Sequence, residues 1–510
     1  MKKIFIYGMI VLLSALVSCD SWLDVKPTDR TSGDVLFEDL NGFQKALNGV
    51  YVELNNRSIY GRNMTATMLD IMAQYYTISS SSGVYDRIVR YNYEDVTYNK
   101  PVYQAMWEKC YNLIVNLNVI INQCGESNPA LSGIWHGLIK GEALATRAFF
   151  HLDMLRLFGP VYSENRTTPC IPYVKNTDQM VSPLLSAEQV GKLIIEDLTE
   201  AIALLKNSDP IIEDGVMNSS ASEGNGLRYR QYRMNYYAAR ALLARTYMWI
   251  GDHQNAYKTA TELLQDIPAD SGGTFPFTTA ANATDATIPD RMFSTEVMFS
   301  AYDNYRSQDI HNNAFHPELS ATSILRFAYP NNGALWSGRI SQLFDNIDDY
   351  RYKMWFATFP TMSGTSVHFF RKYENPGSSV SLTAAQVARL ATFSRMIPLI
   401  RISEVYLIAA ESAIVATGNL SEATSYLSKL RAARNVADLP AADFDQLRNH
   451  IEWEFRREFL GEGQMFYFYK RIKKGLIPDG ANTGTNTIEM TTVKYVVTLP
   501  DSEANERSEN

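Results

Sequence analysis

Two stretches of the sequence combine aromatic and polar side chains in the mixture that a carbohydrate site requires. One is residues 70–99 (DIMAQYYTISSSSGVYDRIVRYNYEDVTYN), and the other comprises residues 301–309 (AYDNYRSQD) and 331–339 (NNGALWSGR). Aromatic rings pack on the apolar C–H faces of a sugar, while amide, carboxylate and guanidinium groups pair with its hydroxyls. The predicted ligand contacts are Asp70, Tyr75, Tyr76, Tyr85, Arg87, Tyr302, Asn304 and Trp336. For each aromatic, a place in the core or in a subunit contact is the alternative.

Four glutamates near the C-terminus recur at helical spacing, and paired carboxylates are what glycoside hydrolysis uses. They are Glu452, Glu454, Glu458 and Glu462. Arg456 and Arg457 lie among them, which favours an ion-paired or solvated helix face instead. We therefore predict no catalytic residue.

Metal and cofactor sites have little support in the sequence. The acidic and histidine clusters that come closest are Asp309 with His311 and His316, and Asp345 with Asp348 and Asp349. The first lacks a third ligand at defined spacing and is better interpreted as a surface loop, and the second lacks the glycine of a calcium loop. The motifs CxxC, HExxH and GxSxG, a phosphate loop and a dinucleotide fingerprint are all missing from the sequence. We predict neither a metal nor a cofactor.

The bulk composition indicates a globular protein without a polyanion-binding surface. The 510 residues are 46% hydrophobic and have a formal net charge of −8, with dispersed Lys and Arg. Nucleic acid is therefore an unfavourable partner. Cys110 and Cys124 fall on one predicted helix about 21 Å apart, too far to bridge each other.

Helical periodicity dominates the chain on both sides of a long irregular region, so the predicted fold is mostly α. An amphipathic segment opens at Asp39, and Ser186 followed by Gln189 is typical of a helix start. Further helices are predicted at residues 103–123, 134–158, 187–205, 234–250, 254–264, 402–417, 421–435 and 444–460. Between about 265 and 395 the pattern gives way to a loop-rich excursion with room for short strands.

Two helical pairs, residues 239–264 and 409–430, resemble each other. When Gly251 is aligned with Gly418, an alanine follows five positions later and a leucine twelve positions later in both. Small residues at a helix crossing, a short polar turn and a second amphipathic helix are typical of a tetratricopeptide unit. Two unrelated helical hairpins are the alternative. Because the units are not in tandem, a regular solenoid is excluded, although the pairs can still stack in space.

The N-terminus predicts export and lipidation. Two lysines precede the apolar run 4–17, which is too short to span a membrane and is typical of a secretory signal. The residues LVSC that end at Cys19 resemble a bacterial lipobox, in which the cysteine is acylated and becomes the first residue. An ordinary signal with an incidental cysteine is the alternative. We predict a signal peptide at 1–18, a lipidated tether at 19–35 and a single domain at 36–510.

Several blocks in order along the chain resemble the SusD/RagB family of nutrient-binding outer-membrane lipoproteins of Bacteroidetes. They are WLDVKPTDR (22–30), LNGVY (47–51), GEALATRAFFHLDMLRLFGPV (141–161), RALLARTYMWIGD (240–252), IRISEVYLIAAESA (400–413), IEWEFRREFLGEGQMFYFYKR (451–471) and the closing LPDSE (499–503). The sequence departs from the family pattern at Met465, where an arginine is usual, and at Tyr467, where an aspartate is usual. These positions look structural, so the departure bears on local packing.

The resemblance implies a SusD-like helical fold with four tetratricopeptide-like pairs, lipid-anchored in the outer membrane and facing outward. Proteins of this family capture glycans and hand them to a SusC-like TonB-dependent transporter, without breaking bonds. The ligand surface in the family is generally built from the loop after the early helices and from the irregular middle region. Peptide capture by the same lid mechanism, and less favourably a surface glycoside hydrolase, are the alternatives.

Overall fold

The computed structural model describes residues 33–78, 83–177, 181–220, 224–320, 322–327, 338–360, 366–377, 380–481 and 486–508. The predicted signal peptide and the lipidation site Cys19 lie outside these residues. The α-helices within the described ranges are α1 Gly33–Leu36, α2 Leu40–Glu53, α3 Met68–Met72, α4 Val84–Val89, α5 Asn99–Cys124, α6 Trp135–Phe158, α7 Ala187–Lys206, α8 Ile211–Asp214, α9 Tyr236–Trp249, α10 His253–Asp266, α11 Ala280–Ala283, α12 Gly338–Leu343, α13 Tyr350–Trp355, α14 Ala384–Ala391, α15 Ile402–Ala416, α16 Leu420–Ala433, α17 Phe444–Glu458, α18 Met465–Arg471, α19 Thr492–Tyr495 and α20 Asp501–Ser508.

The mostly α prediction is confirmed, and each long predicted helix exists with ends shifted by a few residues at most. Capping explains two of the starts. The Asp39 carboxylate accepts the N–H of Gly42 at the start of α2, and Ser186 and Gln189 form a reciprocal capping box at the start of α7. α6 is buried along nearly its whole length and packs against α5 and α7. Among the described helices, none has the length and apolarity needed to cross a membrane.

The two sequence-similar helical pairs lie side by side. α9 packs on α10, α15 packs on α16, and α10 packs against α15. Gly251 and Gly418, the glycines that align the two sequences, have φ values of +78° and +63°, which residues with a Cβ rarely adopt. Across the pairs, the Arg245 guanidinium donates to both carboxylate oxygens of Glu404 at 2.7 and 2.6 Å. The two units therefore stack in space although about 140 residues separate them.

Short antiparallel strand pairs organise the remaining chain. The strands in the described residues are β1 Pro169–Pro172, β2 Leu184–Ser186, β3 Val297–Tyr302, β4 Phe356–Pro360, β5 Ser366–Phe370, β6 Met396–Arg401, β7 Leu476–Pro478 and β8 Thr487–Glu489. They pair as β1–β2, β3–β6, β4–β5 and β7–β8. The β3–β6 ladder joins the two ends of the loop-rich excursion, with Val297 opposite Arg401 and Tyr302 opposite Met396. Cys110, Cys124 and Cys170 are free thiols.

Candidate ligand-binding cleft

A surface cleft of about 680 Å³ brings tyrosines, amides and arginines together, and we call it the tyrosine cleft. Its aromatic wall is formed by Tyr51, Tyr229, Tyr232 and Tyr302. Its polar side chains include Asn48, Asn55, Asn218, Asn225, Arg228, Gln231, Arg233, Asn304 and Arg395. This is the combination of planar rings and hydrogen-bonding groups that suits a sugar.

The end of the β3–β6 ladder forms one side of the cleft. β3 ends at Tyr302, and β6 begins one residue after Arg395. The backbone N–H of Asp303 donates to the carbonyl of Arg395 at 2.8 Å, which extends the ladder by one bond and holds Tyr302 and Arg395 at the same edge. The Asn55 amide, just after α2, donates to the Tyr302 carbonyl at 3.1 Å.

A short 3₁₀ turn, Arg230–Tyr232, forms the opposite side. The Ser300 hydroxyl on β3 donates to the Gln231 carbonyl at 3.0 Å, and this bond fixes the turn against the sheet. Tyr229, which precedes the turn, has a φ of +52°, an uncommon and costly conformation for an aromatic residue. Its hydroxyl lies 2.9 Å from the Ser220 hydroxyl. The backbone is therefore held in a strained shape where the Tyr229 ring enters the cleft.

The two central rings meet at an angle. Tyr232 and Tyr302 pack edge to face, with ring centroids 5.2 Å apart. Tyr302 is 38% exposed, and Arg395 donates to its hydroxyl at 2.8 Å. Burial is the main cause that raises the pKa of Tyr232 above its ordinary value, so its hydroxyl stays neutral at physiological pH. The rings thus offer a partly exposed platform with a guanidinium at its rim.

One polar atom on the wall lacks a partner. Gln231 is 2% exposed, and its Nε2 donates to the Asn218 side-chain oxygen at 2.5 Å. Its Oε1 has no hydrogen-bond partner among the described residues. An unpaired buried acceptor is costly unless water or a ligand donates to it.

Two further depressions adjoin the tyrosine cleft. One of about 610 Å³ shares Asn48, Asn225, Arg228 and Arg233 with it. On the other side, one of about 430 Å³ shares Asn304 and includes the ring of Tyr305, which is 71% exposed. Because the tyrosine cleft shares lining residues with both, the three depressions are contiguous and offer room for more than one sugar unit.

Three predicted contact residues lie in the interior rather than on this surface. The Asp70 carboxylate accepts the N–H groups of Gly461 and Gly463 at 2.6 and 3.1 Å, and burial is the main cause that raises its pKa to about 8. Tyr75 donates to the Arg456 carbonyl at 2.6 Å, and Tyr76 donates to the Ala66 carbonyl at 2.8 Å. All three side chains are at most 1% exposed. These side chains are inaccessible and already hydrogen-bonded, and none of them lines the tyrosine cleft.

The other predicted contacts divide into two groups. Tyr302 and Asn304 both line the tyrosine cleft, and Asn304 is exposed. Tyr85 is half-buried and packs on the core, while Arg87 is exposed and lies 3.7 Å from the Asp95 carboxylate, and neither lines the cleft. Trp336 lies outside the described residues.

Three of the four glutamates are ion-paired in the interior, and Glu452 pairs with Lys474 nearer the surface. Glu458 and Glu454 are fully buried and bind the guanidinium of Arg351 at 2.8 and 2.6 Å. Glu462 accepts from the ammonium of Lys372 at 2.6 Å. The ion-paired interpretation is confirmed, and the carboxylates that suggested hydrolysis are already neutralised by cations.

In the histidine cluster, His316 is 37% exposed, as expected of a surface loop, but His311 is buried. His311 lies on a π-helical turn, Ser307–Asn312, and is 2% exposed. Burial is the main cause that lowers its pKa to about 3. Within the ranges that the structure describes, no group of three or more His, Cys, Asp or Glu side chains is arranged to hold a metal ion.

Tyr229, Tyr232, Arg228 and Arg395 were not predicted as contacts from the sequence. The available signal is the alternation of arginine and tyrosine in RYRQYR (228–233), an unusual density of both residue types. Arg395 has no comparable local signal because the β3–β6 pairing alone brings it to the cleft.

Comparison with known proteins finds two family models that match separate parts of the chain. A model described as "SusD family" matches residues 344–509, and one described as "Starch-binding associating with outer membrane" matches residues 21–248. SusD-like proteins P2 and P38 of Formosa agariphila are 24% and 22% identical, each over 93% of this chain and 92% of the relative.

Solved structures have the same fold. A SusD superfamily protein of Bacteroides thetaiotaomicron superposes with a TM-score of 0.66 at 19% identity, over 92% of this chain and 98% of that one. Surface glycan-binding protein A of the same organism gives a TM-score of 0.62 at 17% identity, over 93% and 98% of the two chains. The two family models together match most of the chain, and with the ordered sequence blocks they establish that the chain belongs to the SusD-like family.

Proposed function

We propose that this protein is a non-catalytic, cell-surface glycan-binding lipoprotein that captures oligosaccharide or polysaccharide in the tyrosine cleft. The observation that carries the proposal is the pairing of the Tyr232 and Tyr302 rings, 5.2 Å apart, beside amide and guanidinium side chains. One solved structure of the same fold is named a surface glycan-binding protein, which supports the same class of ligand.

The amide side chains on the cleft wall support a ligand rich in hydroxyls. A sugar hydroxyl both donates and accepts, so it can pair with asparagine amides such as those of Asn218 and Asn55. A site that holds such groups ready discriminates strongly against ligands without hydroxyls, because its own polar atoms would then stay unpaired.

Anchoring and delivery complete the proposal. Acylation of Cys19 would hold the protein on the outer membrane, as the family description "associating with outer membrane" supports. The partner would be a SusC-like TonB-dependent transporter, which receives the ligand when the protein opens like a lid. Capture requires differential affinity between the closed and the open state rather than chemistry.

Affinity gel electrophoresis on immobilised glycans tests the binding step with three matched variants of the purified protein. Tyr302→Ala and Tyr232→Ala each remove one ring of the cleft, and Tyr98→Ala removes a tyrosine that is 42% exposed elsewhere. We expect each cleft variant to lose retention about twofold to tenfold, since one aromatic contact is worth about 0.5–1.5 kcal/mol beyond the area it buries. Tyr302→Ala should keep its melting temperature, because the Tyr302 ring is 38% exposed. Tyr98→Ala should be retained like the unaltered protein.

Three outcomes contradict parts of the proposal. Equal retention of all variants would show that the cleft is not the site. Binding of peptides but no glycan would favour the peptide alternative. Release of reducing sugar during incubation would overturn the non-catalytic assignment.

A further inference from the structure

The tyrosine cleft is positively charged although the protein is acidic. Arg228, Arg233 and Arg395 line the cleft, and no Asp or Glu is among its described lining residues. The whole chain has 55 acidic and 47 basic residues. The excess of cations is therefore local to the tyrosine cleft, since the two adjoining depressions include Glu142, Asp214 and Glu374.

A buried carboxylate offsets the charge of one of the three guanidinium groups, that of Arg233. The Arg233 Nη1 lies 3.6 Å from a carboxylate oxygen of Glu142, and its guanidinium lies over the Tyr51 ring at 5.1 Å. Glu142 also binds Arg230 at 2.6 Å. Arg233 is thus held in place by interior groups and presents little free charge.

The other two have no carboxylate partner among the described residues. Arg228 donates to the carbonyl and the hydroxyl of Ser219 at 3.1 and 3.0 Å, both neutral acceptors. Arg395 is exposed and donates to the Tyr302 hydroxyl at 2.8 Å. Neither forms an ion pair with the described residues, so no carboxylate among those residues offsets its charge at the rim.

Two other arginines, one beside the cleft and one away from it, form ion pairs. Arg389, on the same helix that contributes Ala388 and Ala391 to the wall, pairs with Asp285 at 2.6 Å. Arg448, on α17, pairs with Asp445 at 2.7 Å. What distinguishes the cleft is that two arginines without a carboxylate partner among the described residues, Arg228 and Arg395, line the same surface.

We infer that the glycan captured here is acidic, with carboxylate or sulfate groups that Arg228 and Arg395 recognise while the tyrosine rings hold the sugar. This rests on the proposed function. The guanidinium group is planar, always charged, and presents donors in a fork that matches two oxygens of such an anion. Hydrogen bonds to a charged group are worth about 1.5–3 kcal/mol, so each arginine would contribute roughly tenfold or more in affinity.

Paired polymers that differ only in charge test the inference. The purified protein is run through gels containing polygalacturonate or its carboxyl-reduced counterpart, and dextran sulfate or dextran. We expect stronger retention by a charged member than by its neutral partner, declining as sodium chloride is raised. Arg228→Gln and Arg395→Gln should each weaken that retention about tenfold. Arg448→Gln, which removes the same charge at a distance, should leave it unchanged.

Each result has a defined meaning. Retention by polygalacturonate alone assigns carboxylate as the recognised group, and retention by dextran sulfate alone assigns sulfate. Equal retention by neutral and charged members would overturn the inference and leave the proposed function intact. Retention by charged members that Arg228→Gln and Arg395→Gln do not alter would also overturn it. Failure of every glycan, charged or neutral, would remove the proposed function itself.

Discussion

Substituting Glu458 by Gln tests whether the acidic helix holds the fold together. Glu458 is fully buried, and its carboxylate accepts from Arg351 at 2.8 Å and from Arg434 at 2.6 and 3.0 Å, with Arg401 as a third partner. In the variant, an NH₂ group replaces one carboxylate oxygen. This group can only donate hydrogen bonds, and it faces guanidinium groups that can only donate as well. Three buried cations then share less negative charge.

The expected loss follows from the burial of the group. Removing one member of a buried ion pair costs about 3–5 kcal/mol, because the remaining charge is left uncompensated. Glu452→Gln, on the same helix, is the matched control. Glu452 pairs with Lys474 at 2.6 Å, and because the Lys474 side chain is 35% exposed, that pair is worth about 1 kcal/mol or less.

Urea denaturation followed by circular dichroism measures both variants against the unaltered protein at pH 7. We expect the free energy of unfolding to fall by about 3–5 kcal/mol in Glu458→Gln and by under about 1 kcal/mol in Glu452→Gln. Losses of equal size would refute the reasoning, because they would show that the buried position has no special energetic role.

The pH dependence of stability provides a second measurement on the same network. Burial acts to raise the pKa of Glu454, but the nearby arginines, Arg351 first, outweigh it and lower that pKa to about 2. A carboxyl whose folded pKa is depressed stabilises the protein above its unfolded pKa of about 4.3 and loses that contribution as the pH falls toward 2. We expect the melting temperature to drop across this window, and less steeply in Glu454→Gln.

Three further substitutions have defined outcomes. Burial lowers the pKa of Lys470 to about 7, so the unfolded chain binds more protons above that pH, and stability should rise between about pH 7 and 10 in the unaltered protein but less in Lys470→Met. Gly463→Ala should lower the free energy of unfolding by about 2 kcal/mol or more, because its φ is +70° and a Cβ would overlap the carbonyl of Met64. Ser186→Ala, which removes the capping box, should cost about 1 kcal/mol in the same denaturation assay.

The helical part of the fold could be predicted because its signals are local. Caps, turn glycines and apolar spacing act within a few residues, and Ser186, Gly251 and Gly418 all have the role that their sequence context predicts. Predicting that the two helical pairs stack requires only one further rule, that the apolar faces of amphipathic helices pack against other elements.

The site could be predicted only in part because its members come from distant segments. Tyr75 and Tyr302 occur in similar mixtures of aromatic and polar residues. Their tertiary environments differ. Tyr75 donates to the carbonyl of Arg456, 381 positions away, while Tyr302 is the last residue of a strand and lies at the surface. Local composition identifies residues whose type suits contact with a sugar. It does not show whether their hydroxyl groups are already hydrogen-bonded in the protein interior.

The same β3–β6 ladder connects the stability of the protein to its ligand surface. At one end, Arg401 and the neighbouring Glu296 belong to the buried network, with Glu296 accepting from Arg434 at 2.8 and 2.6 Å. At the other end lie Tyr302 and Arg395, about five strand residues or roughly 17 Å away. The buried ion pairs thus hold one end of the β3–β6 ladder, and Tyr302, the last residue of β3, contributes its ring to the cleft at the other end. Since the ladder separates the two ends, Glu458→Gln should lower stability while the folded fraction keeps its glycan affinity, and a parallel loss of affinity would show that the network also sets the position of the rings.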